Sequence, residues 1–590
     1  MKMLKIAAFA AALLQTAGCG DDGGSNASGD ATSTTADSSG TLMATSTGPV
    51  VAPCEPGEIR CASVDALERC APTGKQWILE PCPSQTTCTP CDSDACNVDA
   101  CIGACDSVDD LPSSAGCSFI ANRQLHGSDI TAPFDDGLVV ANPNSSTNAR
   151  ITLYRTEEGT NVEHAMEEID LAPLDSHVFL LSANFVQGAS SMYRTGGTYR
   201  VQSDVPVVAY HHAPYALSRG NDSSMLLPES SLRSDYIITS YGPNVDLQDG
   251  EPSYFEVVAL ENFTTLEWFP PVATAGNGLP IPFVPGGGRG ELKMNRFDTV
   301  RIAASGSAND IVPLRDVSGT IVKADKPIWV TSGVRCGRVP TRDLEVYPVG
   351  LCDPLQEMSI PLEYWGNTYV GAHSPVRTTE RHWWRVFAGT DGVEVTTDPP
   401  QDIGTIVLAK RGDFVDFSVS NGVHIVFRSD NGVFMPVQYL QSKRYIFDPD
   451  DGGPLMAEPE DEYADYGDSS MYQMIPTEQF LPRYVFATAI NFPLNFVQVI
   501  RPLGAAEVML DGAPIDESLF EPVAEFEVAT VEIVEGSHLI ESIDDFGILQ
   551  VGYAAKEYDP LCLQETPSKN GCLSSYAYPG GMKSDPIYIP

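Results

Sequence analysis

One pattern recurs four times along the chain: a Gly-led turn, an alternating run, an acidic turn and then an apolar run. The first two copies read Gly197-Thr-Tyr-Arg-Val-Gln-Ser-Asp204-Val-Pro206-Val-Val-Ala-Tyr210 and Gly319-Thr-Ile-Val-Lys-Ala-Asp325-Lys-Pro327-Ile-Trp-Val330. The third is Gly422-Val-His-Ile-Val-Phe-Arg-Ser-Asp430-Asn-Gly-Val-Phe-Met435, and the fourth is Gly536-Ser-His-Leu-Ile-Glu-Ser-Ile-Asp544-Asp-Phe-Gly-Ile-Leu-Gln-Val551. Their Asp residues lie 121, 105 and 114 positions apart. A spacing of this kind means that one structural unit is built several times over, which constrains the fold more than composition does.

Two further elements keep the same order. Asn221-Asp222-Ser-Ser-Met225-Leu-Leu-Pro228 leads to Tyr236, Met358-Ser-Ile-Pro361 to Tyr369, and Gly467-Asp468-Ser-Ser-Met471 with Pro476 to Tyr484. Each unit opens on an apolar run: Leu138 to Ala141, Phe255 to Leu260, Trp384 to Ala388 and Phe496 to Ile500. Short alternating runs separated by turn residues predict an all-β chain of tandem antiparallel sandwich-like modules. The boundaries expected are 117–230, 231–355, 356–470 and 471–556, with 557–590 as a tail. The Asp-x-Pro step reads as structural punctuation, because Asp accepts from backbone N–H groups and Pro cannot donate to a ladder. The best helical candidate is Asn161 to Leu171.

The N-terminus points to export. Lys2 and Lys5 precede the apolar run Ile6 to Leu14, too short to span a bilayer, and Thr16-Ala17-Gly18-Cys19 is similar to a bacterial lipobox. Residues 1–19 are then a lipoprotein signal with Cys19 as the lipidation site, and Gly20 after it implies outer-membrane sorting. Residues 20–53 are mainly Ser, Thr, Gly, Ala and Asp, which cannot bury enough surface to order themselves, so they read as a disordered tether. In the segment 54–116, Cys54, Cys61, Cys70, Cys82, Cys88, Cys91, Cys96, Cys101 and Cys105 form a disulfide framework in place of a core. Zinc at Cys88 and Cys91 is the competing reading, but no second pair stands at finger spacing. Nine cysteines cannot pair among themselves, so the odd one is expected to join Cys117 and staple this segment to the first module. Local pairs Cys336–Cys352 and Cys562–Cys572 take the rest.

The net charge of −44 argues against nucleic acid and anionic membranes as partners. No nucleophile elbow, zinc-protease helix or phosphate loop is present, so neither a catalytic residue nor a cofactor is expected. Asp448, Asp450 and Asp451 begin an acidic run to Asp468 that reads as a solvated loop, with calcium as the alternative. Arg411-Gly412-Asp413 matches the integrin tripeptide but precedes a strand as an ordinary turn. Of the neighbours Trp383 and Trp384 only one can face a core, and likewise one of His211 and His212 should be packed and one at the surface.

The first unit carries a family resemblance. Gly116-Cys117-Ser-Phe119, Tyr199 to Tyr210 and Asn221 to Pro228 with Tyr236 make it resemble the N-terminal domain family of the IgG Fc-binding protein, strongest over 117–240 and extending to about 556. The family pattern falls here on Asp204, Pro206, Asn221, Asp222 and Pro228, and His211-His212 departs from it. The resemblance implies an extracellular binding or adhesive module without catalysis, whose partner is an extracellular protein or glycan. A structural envelope component and an exported polysaccharide hydrolase are the alternatives.

Overall fold

In three of the four units the repeat is one long strand bent across the corner of a sandwich. The computed structural model describes residues 54–590 apart from 57, 64–65, 82–85, 90–99, 106–112, 126–134, 183–189, 216–219, 244–251, 307–314, 342–351, 378–379, 443–444, 448–453, 457–465 and 555–573. In the first unit the long strand is Tyr199–Ala213. Its first half runs between Gly116–Ala121 and Ala149–Thr156, with Glu163–Leu171 beyond. Its second half runs between Asp136–Ala141 and Asp222–Leu226, with Ser176–Leu181 beyond. The two halves belong to different sheets, so the strand itself makes the corner. Tyr199, Val201 and Val207 point into the core while Arg200 and Gln202 point away, as a two-residue period requires.

The second and fourth units repeat this with Ile321–Gly337 and Ser537–Tyr553. The third breaks the same strand into Ile425–Arg428 and Phe434–Tyr439. The predicted acidic turn is therefore a bend inside one strand in three of the units. At the bend the ladder lapses, and a side chain caps the neighbouring strand: Asp204 accepts from Arg150 N–H at 2.8 Å, Asp325 from Thr265 at 2.7 Å and Asp544 from Ala506 at 2.8 Å. In the third unit this acceptor is Asn431, at 3.0 Å from Glu394 N, and not Asp430 as the alignment suggests. Pro206 and Pro327 sit in the lapsed stretch, where the missing N–H costs nothing.

Strand pairing carries the units past the boundaries read from the sequence. Asp353–Met358 closes the second unit, Met471–Gln473 the third, and Ser575–Pro579, within the expected tail, pairs with the long strand of the fourth. The helical candidate is the strand Glu163–Leu171. A bulge at Met166 skips one residue in its ladder, breaking the alternation and imitating a helical spacing.

The units close into a ring instead of a string. Glu256, Arg385 and Gln498 occupy one strand position in the second, third and fourth units, and each bonds a group of the unit before it: Asn122 at 3.0 Å, Ser240 O at 3.0 Å and His373 O at 2.7 Å. The fourth unit returns to the first, where the Tyr210 hydroxyl donates to Val485 O and Gly580 O, and Arg483 donates to Pro143 O. Met192–Thr195 crosses from the first unit to add a strand to the second.

Ahead of the ring, Ile59–Ser63, Ala66–Cys70 and Trp77–Pro81 form a small sheet, and Thr86–Thr89 pairs with Ala100–Gly103, placing Cys88 opposite Cys101. Cys54 pairs with Cys70, Cys61 is also disulfide-bonded, and Cys336 pairs with Cys352. Cys105 pairs with Cys117, which ties this segment to the first unit. Cys19, Cys82, Cys91, Cys96, Cys562 and Cys572 lie outside the described residues. Among the described residues no helix is long and apolar enough to cross a membrane.

Candidate functional site: an acidic hub where the units meet

The last strands of all four units converge at the middle of the ring, with Asp222-Ser-Ser on the first of them and Asp468-Ser-Ser just before the third. Neighbouring units are joined there by serines and backbone. Met358 N donates to Ser224 Oγ at 2.8 Å, Asp353 N to Ser469 Oγ at 3.4 Å, Asp468 N to Ser575 Oγ at 3.0 Å and Asn221 N to Ser574 Oγ at 2.8 Å. A short hydroxyl suits this position because it can accept from one strand while donating to another: Ser574 returns a bond to Asn221 O and Ser575 to Asp468 O.

Asp222, Asp353, Glu357 and Asp468 are all buried in this hub. Asp222 accepts from Gln356 N at 2.8 Å, Ser470 Oγ at 2.6 Å and Ser223 N at 3.0 Å, so one carboxylate binds strands of three units. Burial holds its carboxyl well above the usual range, against the pull of those hydrogen bonds. Burial and then the charge of Asp468 raise Asp353, and burial raises Glu357, whose carboxylate meets Ser224 Oγ. Burial and crowding both favour the protonated form of Asp222, Asp353 and Glu357. Among the described residues no group of three His, Cys, Asp or Glu side chains has a metal-binding arrangement.

Asp468 is thus a hub residue, not part of a solvated loop, while Asp448, Asp450 and Asp451 lie outside the described residues. Asn221 and Asp222 are at the hub, and Pro228 opens the turn Glu229–Ser231 that leads to the next unit. Pro228 packs over Gly116, where a Cβ would lie 2.3 Å from it, so that glycine is needed for the close approach. Asp204 and Pro206 sit at the first corner, away from the hub.

His211 and His212 are both buried, contrary to the expectation of one surface histidine, because the ring covers the face that an isolated sandwich would leave wet. His211 Nε2 lies 3.2 Å from Asp136, and His212 Nδ1 lies 2.6 Å from Ser223 Oγ. Burial and the adjacent His211 push His212 down to about 3, which favours its neutral form beside Ser223. Trp384 is buried and Trp383 half-buried, with its indole N–H on Gln441. Arg411 pairs with Asp235 of the second unit, and Gly412 packs against Gly319 so closely that a Cβ would meet its carbonyl at 2.5 Å. The Arg-Gly-Asp tripeptide is a joint between units, not a displayed ligand.

Three recurring buried tyrosines each bridge two backbone groups. Tyr236 accepts from Arg233 N at 3.1 Å and donates to Ile328 O at 2.8 Å; Tyr369 accepts from Gly366 N and donates to Phe434 O; Tyr484 accepts from Leu481 N and donates to Phe546 O. Each ties the start of a unit to the second half of its own long strand, and Phe119 fills the place in the first unit.

Fold and site define an all-β scaffold whose buried polar groups serve to join units. The sequence model of the family described as IgGFc binding protein matches residues 222–552, more than half of the chain. The chain belongs to that family, which is one of binding proteins. The match starts at Asp222, so the resemblance holds but centres on the last three units and not on 117–240. No curated protein matches the chain.

Proposed function

We propose that this is a non-catalytic surface lipoprotein that binds an extracellular protein. Lipid on Cys19 holds it to the outer membrane, residues 20–53 act as tether, the Cys-rich segment as stalk and the ring as binding head. Membership of a binding family carries this reading. The Cys105–Cys117 bond supports it, because a covalent staple fixes the orientation of the head on its stalk. Cys19→Ala should move the protein from the membrane fraction to the soluble fraction; unchanged membrane association would sink the anchor. Ligand binding is tested by titrating the full chain with purified proteins of the native surface, where binding is expected at micromolar levels or tighter; a purified glycan bound instead would replace the protein ligand.

A further inference from the structure

In the second unit, one hairpin loop departs from its counterparts. The connection between Thr264–Phe269 and Gly290–Met294 spans 270–289, whereas the equivalent connections are 157–162, 399–405 and 511–512. Loops of this length in compact domains commonly serve function. It is also a built structure. Thr274 bridges to Val284 and Ala304, Ala275 N donates to Ala303 O at 2.9 Å, and Ser305 N donates to Ala273 O at 2.7 Å. The Trp268 indole donates to Thr274 Oγ1 at 3.2 Å, and Ile281 and Val284 are buried with it in the core. Prolines at 270, 271, 280, 282 and 285 restrict the backbone further.

On this fixed base the loop holds apolar side chains out in solvent: Leu279 is 96% exposed and Phe283 60% exposed. At the tip, Asn277 N donates to Ile281 O, and Ile281 N donates to Asn277 Oδ1, both at 3.3 Å. Between Trp268 and Gly288 there is no charged residue, in a chain of net charge −44, and Arg289 at its end is already paired with Glu267 and Glu291. A neutral apolar finger on an acidic body has the layout of an interface, with desolvated anchors at the centre and charge at the rim. The body repels anionic membranes and other copies of itself, and attracts a cationic surface.

We propose that the Leu279–Phe283 finger is the docking element for a protein partner whose receiving face is an apolar pocket rimmed by Lys and Arg. This rests on the reading of the chain as a protein-binding head. Rigidity lowers the ordering cost of inserting the two side chains, so a small contact can carry most of the affinity.

The test places the photo-crosslinker p-benzoylphenylalanine at position 279 of the full chain, exposes it in native surface extract, and purifies the protein captured. That protein is then titrated against wild type, Leu279→Asp, Phe283→Ser and, as a control, Ile543→Asp, which alters an exposed apolar residue on another unit. The expected result is an affinity lowered at least about tenfold by the first two changes, unaltered by the control and weakened by salt. Unchanged melting temperatures show that the variants are folded. Binding that Leu279→Asp leaves intact overturns the finger while the binding reading stands; no binding by wild type overturns both. A cross-link only to a second copy, or co-flotation with phosphatidylcholine vesicles in place of a captured protein, also overturns it.

Discussion

A phenol that satisfies two buried backbone groups at once is an economical corner, and Tyr369 is the clearest instance. Its hydroxyl accepts from Gly366 N at 2.8 Å and donates to Phe434 O at 2.7 Å, inside the core. Phe119 shows that a plain ring fits the same corner. Tyr369→Phe should therefore keep the packing and lose both bonds, lowering the unfolding free energy in urea by about 1–3 kcal/mol. A change of a few tenths would mean that the ring alone matters. The corner acids make a second case. Asp325→Ala leaves Thr265 N–H without its acceptor and should cost about 0.5–2 kcal/mol, on the scale of a lost cap. Asp325→Asn should be nearly neutral in the same titration, since Asn431 does this task in the third unit. The sequence displayed these residues by their spacing, but Asn431 stood one place from the aligned Asp430. Alignment by letter chose the acid, whereas geometry chose the side chain that reaches Glu394 N.

At the scale of elements, alternation and turn residues were enough to announce strands, and the Glu163–Leu171 bulge shows where they mislead. What could not be read was that two runs separated by Asp-x-Pro are one bent strand, because local sequence is the same for a turn and a corner. The hub was hidden for a related reason: Asp222, Asp353 and Asp468 are more than a hundred residues apart and meet only when the closing strands of all units converge. Their meeting has a measurable consequence. Burial, with like charge from Asp468, raises Asp353 in the folded state, so the fold keeps a proton that the unfolded chain releases above about pH 4. The stabilising contribution is complete below that pH and is lost as pH rises towards the folded value. Arg377, next to Gly467, does not relieve the hub, since it stacks on Tyr553 and pairs with Glu380. Thermal melts from pH 4 to pH 8 should show wild type falling more steeply than Asp353→Asn, which cannot ionise. Parallel curves would show that Asp353 is ionised in the folded protein.

The whole molecule is held by closure. A tandem array would leave each unit to melt alone, whereas here every unit contributes one strand to a shared centre and the last segment returns to the first. Ser114 N donates to Met582 O at 2.8 Å, Asn221 N to Ser574 Oγ and Tyr210 to Gly580 O, so residues 574–590 stand against segments that precede them by more than three hundred positions. The expected tail 557–590 left this segment outside the repeats, because Ser574-Ser575-Tyr576 lacks the Asp of Asp222-Ser-Ser and Asp468-Ser-Ser. Deleting residues 574–590 should then do more than expose the edge of Ser537–Tyr553. Amide exchange is expected to speed up in Asp222–Leu226, in the first unit, along with the local effect in the fourth, and the melting temperature should fall. A deletion that loosens Ser537–Tyr553 while leaving Asp222–Leu226 as protected as before would show that the units are stable on their own, and that the ring is contact without cooperation.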